Sequence, residues 1–248
     1  MERRGNKASW QICRWRIKAE VVTPIAPTKT LHDAKMEEAG LKKLDEKSLM
    51  KELLRSGWKR MLGAGQDPED VEKVARELIK EMELRKLHVF HRDSEGTICI
   101  DSFWIKGAVK RVLSQYAEMM RVKRDHKAGK MYDRLVCFVR NFLSVEPTYI
   151  PLRRGGQPIK EVSRLIQVYV TTEHGMTNKF YELVDPPAAF ECSITVPSID
   201  GIVDYIEDAV NAVFRGVVGI GGLRSSGFGR LKLVSFKQEN VNTDVRAE

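Results

Sequence analysis

Cysteine, acidic charge and long apolar runs are all scarce in this chain of 248 residues. The four cysteines stand at positions 13, 99, 137 and 192, and no two form a CxxC pair. That spacing excludes a zinc knuckle and a dense disulfide frame, and a reducing, cytoplasmic setting is the expectation. No run approaches the ~18–20 apolar residues that a membrane helix needs. The opening MERRGNKASWQIC has basic residues with no apolar stretch behind them, unlike a secretory signal. No internal repeat and no low-complexity tract is present. With 42% apolar and 31% charged residues, the composition is that of a folded, water-soluble protein.

The charge is what stands out. Lys and Arg number 42 against 34 Asp and Glu, a net charge of +8. Residues 106–160 alone hold thirteen Lys/Arg against four Asp/Glu, so this segment carries the whole excess. Positive charge concentrated in this way is the electrostatic footprint of a polyanionic partner. The competing reading is a solvated basic face with no ligand.

Periodicity outlines the architecture. Residues 10–22 alternate as a strand, with Ile12, Trp15, Ile17, Ala19 and Val21 apolar and a phase slip near Trp15 that suggests a bulge. The prolines of TPIAPTKT end it. Residues 35–86 read as a helical hairpin of mixed charge, its second helix opening on Asp67-Pro68-Glu69-Asp70, an insertion between strands. HVFHRDSEGTICI reads as strand, turn, strand, and Asp101 or Ser102 caps a helix that HKAGK then breaks. The stretch DRLVCFVRNFLSVEPTYIPLRRGGQP is expected to hold a strand and then a Pro/Gly/Arg-rich loop. A hairpin around His174-Gly175, the alternating strand FECSITV, a helix over 201–214 and a last strand complete the chain, with a frayed polar tail. Antiparallel hairpins without repeated βαβ units predict an α+β fold, an antiparallel sheet with helices on one face.

GIGGLRSSGFGRLKL is the sharpest motif. Gly219, Gly221, Gly222, Gly227 and Gly229 fall within eleven residues, with Arg224, Ser225, Ser226 and Arg230 among and after them. Glycines allow backbone amides to approach a phosphate, and the serines and arginines add donors. A Walker loop is excluded because no GKS or GKT leads into a helix. A Rossmann loop is excluded because here the helix precedes the loop and a strand follows. The alternative is a turn shaped only for packing.

This loop resembles the glycine-rich loop of the CRISPR-associated RAMP superfamily. Ile105-Lys106-Gly107-Ala108-Val109-Lys110-Arg111 resembles the start of the first core helix in that family's backbone subunits. Arg164-Leu-Ile-Gln-Val, then Gly175, then Glu182-Leu-Val-Asp-Pro-Pro-Ala-Ala-Phe190 resembles their late hairpin. The three segments keep the family's order across residues 100–236, and the region 35–86 matches no part of it.

The resemblance implies an RRM-like, ferredoxin-like palm over 1–34, 87–144 and 181–238. It also implies a thumb-like hairpin region over 145–180, while periodicity alone sets the helical insertion at 35–86 and polarity the flexible tail at 239–248. It implies a prokaryotic subunit that polymerises along CRISPR RNA and presents it to a complementary RNA or DNA target, beside further copies of itself and other effector subunits. A separate nuclease is a further possible partner, and a membrane is not one. The implied RNA contacts are Lys106, Lys110, Arg111, Arg153, Arg154, Arg164 and the loop residues Gly219, Gly221, Gly222, Arg224, Ser225, Ser226, Gly227, Gly229 and Arg230.

Some backbone subunits also cut target RNA with an aspartate after the first strand. Asp33, beside His32, is the candidate for that role, and Mg or Mn would enter only with it. TPIAPTKTL replaces the family's glycine-rich turn there, so the expectation is a target bound and left intact, with no metal or other cofactor. The alternatives are a metal-dependent endoribonuclease, a repeat-RNA processing endonuclease and a generic single-stranded RNA binder. Tyr149, Tyr169 and Tyr181 are possible base-stacking residues, each with a half-buried strand tyrosine as the competing reading. His88 and His91 read as structural.

Overall fold

The computed structural model describes residues 11–31, 33, 86–172, 175–199 and 201–242. The predicted helical insertion, except its last residue, therefore lies outside the described residues, as do His32 and His174. In chain order the strands and helices are β1 (Gln11–Val21), β2 (Leu87–His88), β3 (His91–Arg92), β4 (Ile98–Asp101), α1 (Ser102–Val122), α2 (His126–Phe142), β5 (Ser144–Glu146), β6 (Tyr149–Pro151), β7 (Arg153–Arg154), β8 (Gln157–Pro158), β9 (Arg164–Thr172), β10 (Gly175–Leu183), β11 (Ala188–Pro197), α3 (Val203–Phe214) and β12 (Leu231–Asn242). Among the described residues no helix is long and apolar enough to cross a membrane.

The chain divides into two units. The first comprises the described parts of Met1–Ala26, His91–Ser163 and Val184–Glu248. Its main sheet runs β12-β1-β11, and the outer edge of β11 is shared by β5 and by β7, which pairs on with β8. Pairing of β1 with both neighbours is antiparallel. The order β1–α1–β5–β11–α3–β12, with β12-β1-β11-β5 in space, is the βαββαβ arrangement of a ferredoxin-like fold. A small second sheet, β3-β4-β6, completes the unit.

Alternation explains the main sheet. Cys13, Trp15, Ile17, Ala19 and Val21 of β1 are buried, while Arg16, Lys18 and Glu20 are exposed. Strand β11 buries Ala188, Phe190, Cys192, Ile194 and Val196 in the same way. Trp104, Ile105, Ala108, Val109, Val112 and Leu113 of α1 and Ile206, Val210, Val213 and Phe214 of α3 are buried too. Burying each such Val, Leu, Ile or Phe contributes ~1.5–3 kcal/mol, and a one-residue slip would reverse every side chain of β1, so the register is strongly held.

Several expectations change here. The buried residue near the start of β1 is Cys13 rather than Ile12, and the alternation runs through Trp15 without a slip. The irregularity lies instead in the pairing with β12, where Lys18 opposes Ser235 but Ala19 opposes Leu233. The strand expected in DRLVCFVRNFLSVEPTYIPLRRGGQP is present as β5 and β6, but the stretch opens with the end of α2. HKAGK opens this helix rather than breaking one, with Asp125 as N-cap accepting from the Ala128 amide. Leu135 and Val139, four residues apart, are buried on one helical face, which a short apolar run cannot distinguish from a strand. The tail is shorter than expected, because residues 239–242 belong to β12 and pair with Gln11–Arg14.

The thumb-like region 145–180 is divided. Residues 145–163 belong to the first unit, and β9 and β10 belong to the second. That second unit, the described parts of Pro27–Phe90 and Arg164–Leu183, therefore takes residues 27–31, 33, 87–90 and 181–183 out of the expected palm. Its sheet is β2-β10-β9, with β9 at an edge. The β9–β10 hairpin is antiparallel, as expected around His174-Gly175.

Candidate nucleic-acid interface

The glycine-rich loop leaves α3 and returns as β12, zipped onto the segment that follows β1. Val22 N donates to Arg230 O, Gly229 N to Pro24 O and Gly222 N to Ala26 O, at 2.7–2.9 Å. Thr23 fastens the same turn, its hydroxyl donating to Gly227 O and accepting from Arg230 N. Ile220 N donates across the loop to Gly229 O.

This packing corrects the reading of the glycines. A Cβ on Gly219 would lie 2.1 Å from Phe228 O, and one on Gly229 2.0 Å from Ile220 O. A Cβ on Gly221 would lie 2.4 Å from Ala26 O and 3.1 Å from the Trp104 ring. These glycines let the protein's own backbone approach itself. The Gly222 and Gly229 amides are likewise engaged within the fold, not presented to a phosphate. Gly227 differs: its φ is +83° and its Cβ position meets nothing within 4 Å. Between Gly219 and Gly229 the tip around Arg224–Ser226, one 3-10 turn with Ser225 and Ser226 exposed, is what is presented outward.

The Trp104 contact seats the loop against α1. Asp101 caps that helix by accepting from Phe103 N, and the buried stripe leaves Lys106, Gly107, Lys110 and Arg111 half-exposed on the other side. Burial, then the neighbouring Lys110 charge, holds the Lys106 ammonium below the ordinary lysine range. Burial, then Arg111, likewise lowers the Arg224 guanidinium. Helix α1 and the loop tip thus bring Arg224 to Arg111, on a helix that also presents Lys106 and Lys110. Among the described residues, none of the four has a carboxylate within salt-bridge distance. Partly desolvated, mutually repelling cations favour an anion.

The other predicted residues are placed differently. Arg154 donates to Pro187 O and Asp185 O, and Arg153 to Gly156 O, so both guanidiniums brace main chain. Arg230 is exposed at the base of the loop. Arg164 opens β9 in the second unit. Also in that unit, Asp33 Oδ2 accepts from Thr30 N while Thr30 Oγ1 accepts from Asp33 N. That reciprocal pair is a capping box, with Thr30 as the cap. Among the described residues no group of three His, Cys, Asp or Glu is placed to hold a metal ion.

Tyr149 stacks on His91 at 3.5 Å and Tyr181 on His88 at 4.2 Å, while Tyr169 is 66% exposed. Both histidine rings pack on tyrosines, in keeping with a structural reading. The open face of the main sheet carries a charge ladder, with Arg16–Glu239, Lys18–Glu191 and Lys232–Glu20 paired. No aromatic ring of β1 or β11 lies on that face, so these strands offer no base-stacking platform. Sequence reasoning missed Thr23 and Trp104. Trp104, two residues before Lys106, reads in sequence only as core, and nothing marks Thr23 as a clamp.

No family model matches the chain, and no curated protein matches it. The fold aligns with a chain in the cryo-EM structure of the Type III-B Cmr-beta bound to cognate target RNA, with a TM-score of 0.46 and 10% sequence identity. The alignment covers 92% of this chain and 61% of that one, so this chain spans about three fifths of its length.

Proposed function

We propose that this protein is a guide-RNA-binding subunit of a CRISPR effector complex, holding the guide's sugar-phosphate backbone on the surface formed by α1 and the loop tip. The observation that carries this reading is the approach of Arg224 to Arg111, over a hundred residues away, on a helix that also presents Lys106 and Lys110. The loop resembles that of the RAMP superfamily, and the start of α1 resembles that of its backbone subunits. Contacts to phosphates position RNA without reading bases, which suits a subunit that must accept any guide. In this reading the partners are CRISPR RNA, a complementary RNA or DNA target, further copies of the chain and other effector subunits, with destruction of the target left to a separate nuclease. The cutting alternatives have no observation of their own, since the Asp33 carboxylate is engaged in capping.

The test is the salt dependence of RNA binding. Each phosphate-neutralising cation contributes ~0.7 to the log–log slope on single strands. Replacing Lys106, Lys110, Arg111 and Arg224 with alanine is expected to lower that slope by about 2–3 and to weaken unrelated guide sequences alike. An unchanged slope with a folded variant would overturn the assignment.

A further inference from the structure

Helix α2 is an addition to the βαββαβ frame, standing between α1 and β5 where the frame needs only a connection. Its buried side, Gly129, Leu135 and Val139, faces inward. On the outer side Lys127, Lys130 and Arg134 recur at i, i+3 and i+7, all exposed, so they form one stripe. The acids nearby are already engaged. Asp125 caps the helix, and Asp133 holds Arg121, which also binds Glu118. Among the described residues no carboxylate lies within 4 Å of the three stripe cations. Their placement works against the helix: like charges at this spacing repel, and Lys127 sits in the first turn, at the positive end of the dipole. Further along, Phe138 and Phe142 pack with ring centroids 4.9 Å apart, and Phe142 is 54% exposed.

We infer that the outer face of α2 is a second binding track for single-stranded nucleic acid, separate from the α1–loop surface. Lys127, Lys130 and Arg134 would neutralise phosphates, and Phe142 would offer a ring to a base. From Lys127 to Phe142 the helix extends roughly 22 Å at its usual rise, enough for a few nucleotides. An anionic membrane or an acidic protein would answer the charge alone. An exposed aromatic at the end of a basic stripe favours nucleic acid, whose strands combine phosphates with stacking faces. The inference stands independently of the α1–loop assignment, and either surface can fail alone.

The experiment compares four variants of the chain with the wild type, one of them Phe142→Ala. Of the other three, one replaces Lys127, Lys130 and Arg134 with alanine. A second replaces Lys106, Lys110 and Arg111. A charge-matched control replaces Lys18, Lys232 and Lys237 on the open sheet face. Mixed-sequence RNAs of about 12 and about 45 nucleotides bracket and exceed a single-track site. The α2 variant is expected to lose about tenfold affinity for the longer RNA and about 2 from its salt slope, while the control keeps both. Phe142→Ala should weaken the longer RNA by several-fold with an unchanged slope.

Equal losses in the α2 variant and the control would mean a net-charge effect and overturn the track. So would an unchanged slope for the α2 variant, or, with phosphatidylserine vesicles assayed beside the RNAs, a loss confined to the vesicles. If the α1 variant alone loses RNA binding, the second track fails and the first survives; if the α2 variant alone does, the reverse holds.

Discussion

At the residue scale, the loop glycines separate into two kinds that share one letter in the sequence. Gly229 has φ +72° and a Cβ position 2.0 Å from a backbone oxygen, whereas Gly227 has φ +83° and open space. Gly229→Ala must therefore displace backbone, and a loss of several kcal/mol with failure to fold at moderate temperature is expected. Gly227→Ala meets only the left-handed conformational penalty, about 1–2 kcal/mol, and should remain folded and bind RNA. Denaturant melts of both variants check this. Equal destabilisation would mean that close backbone contact is not what selects glycine at position 229. The same contrast excludes valine at Gly221 as a clean probe of RNA binding, because that change would strike Ala26 and Trp104 first.

At the element scale, α1 joins a buried stripe to a charged one, and the boundary falls on Lys106. Its ammonium is depressed by burial and then by Lys110. The folded state therefore binds fewer protons than the unfolded one between the lowered and the ordinary pKa, so stability rises as pH climbs through that interval. RNA favours the charged form, so affinity should fall over the same interval. Lys110→Ala removes one of the two causes and should move the affinity loss to higher pH. Binding titrations from about pH 7 to pH 10.5, the ordinary lysine value, measure it. A Lys106→Arg protein that follows the wild-type curve would show that Lys106 is not the titrating group. Arginines illustrate the converse at β7: Arg153 and Arg154 read as RNA contacts in sequence, yet each guanidinium holds main-chain carbonyls.

At the scale of the whole molecule, the four thiols report which regions open. Cys13, Cys99 and Cys192 are buried and Cys137 is exposed. Burial pushes the Cys99 thiol to about 11 and the Cys192 thiol to about 12. At about pH 8 one thiol should react at once with a maleimide or disulfide reagent, and the other three only as fast as the structure opens. Prompt labelling of two or more thiols under native conditions would contradict the buried positions in β1, β4 and β11.

What the sequence determined by itself was the class of fold and most of its elements. Period-two alternation in WRIKAEV and FECSITV and helical periodicity in IKGAVKRVL are local signals, and burial of one face enforces them. The basic excess of 106–160 and the loop motif were legible for the same reason, since composition and glycine spacing need no partner. Tertiary structure decided the rest. Whether LVCFV is helix or strand depends on α1 lying beside it. Whether Gly219 and Gly229 serve a ligand or the backbone depends on Phe228 and Ile220 lying opposite them. Whether Arg154 is free depends on a turn more than thirty residues away. Those are long-range contacts, and a one-dimensional pattern records which groups can bond but not which ones the fold brings within reach.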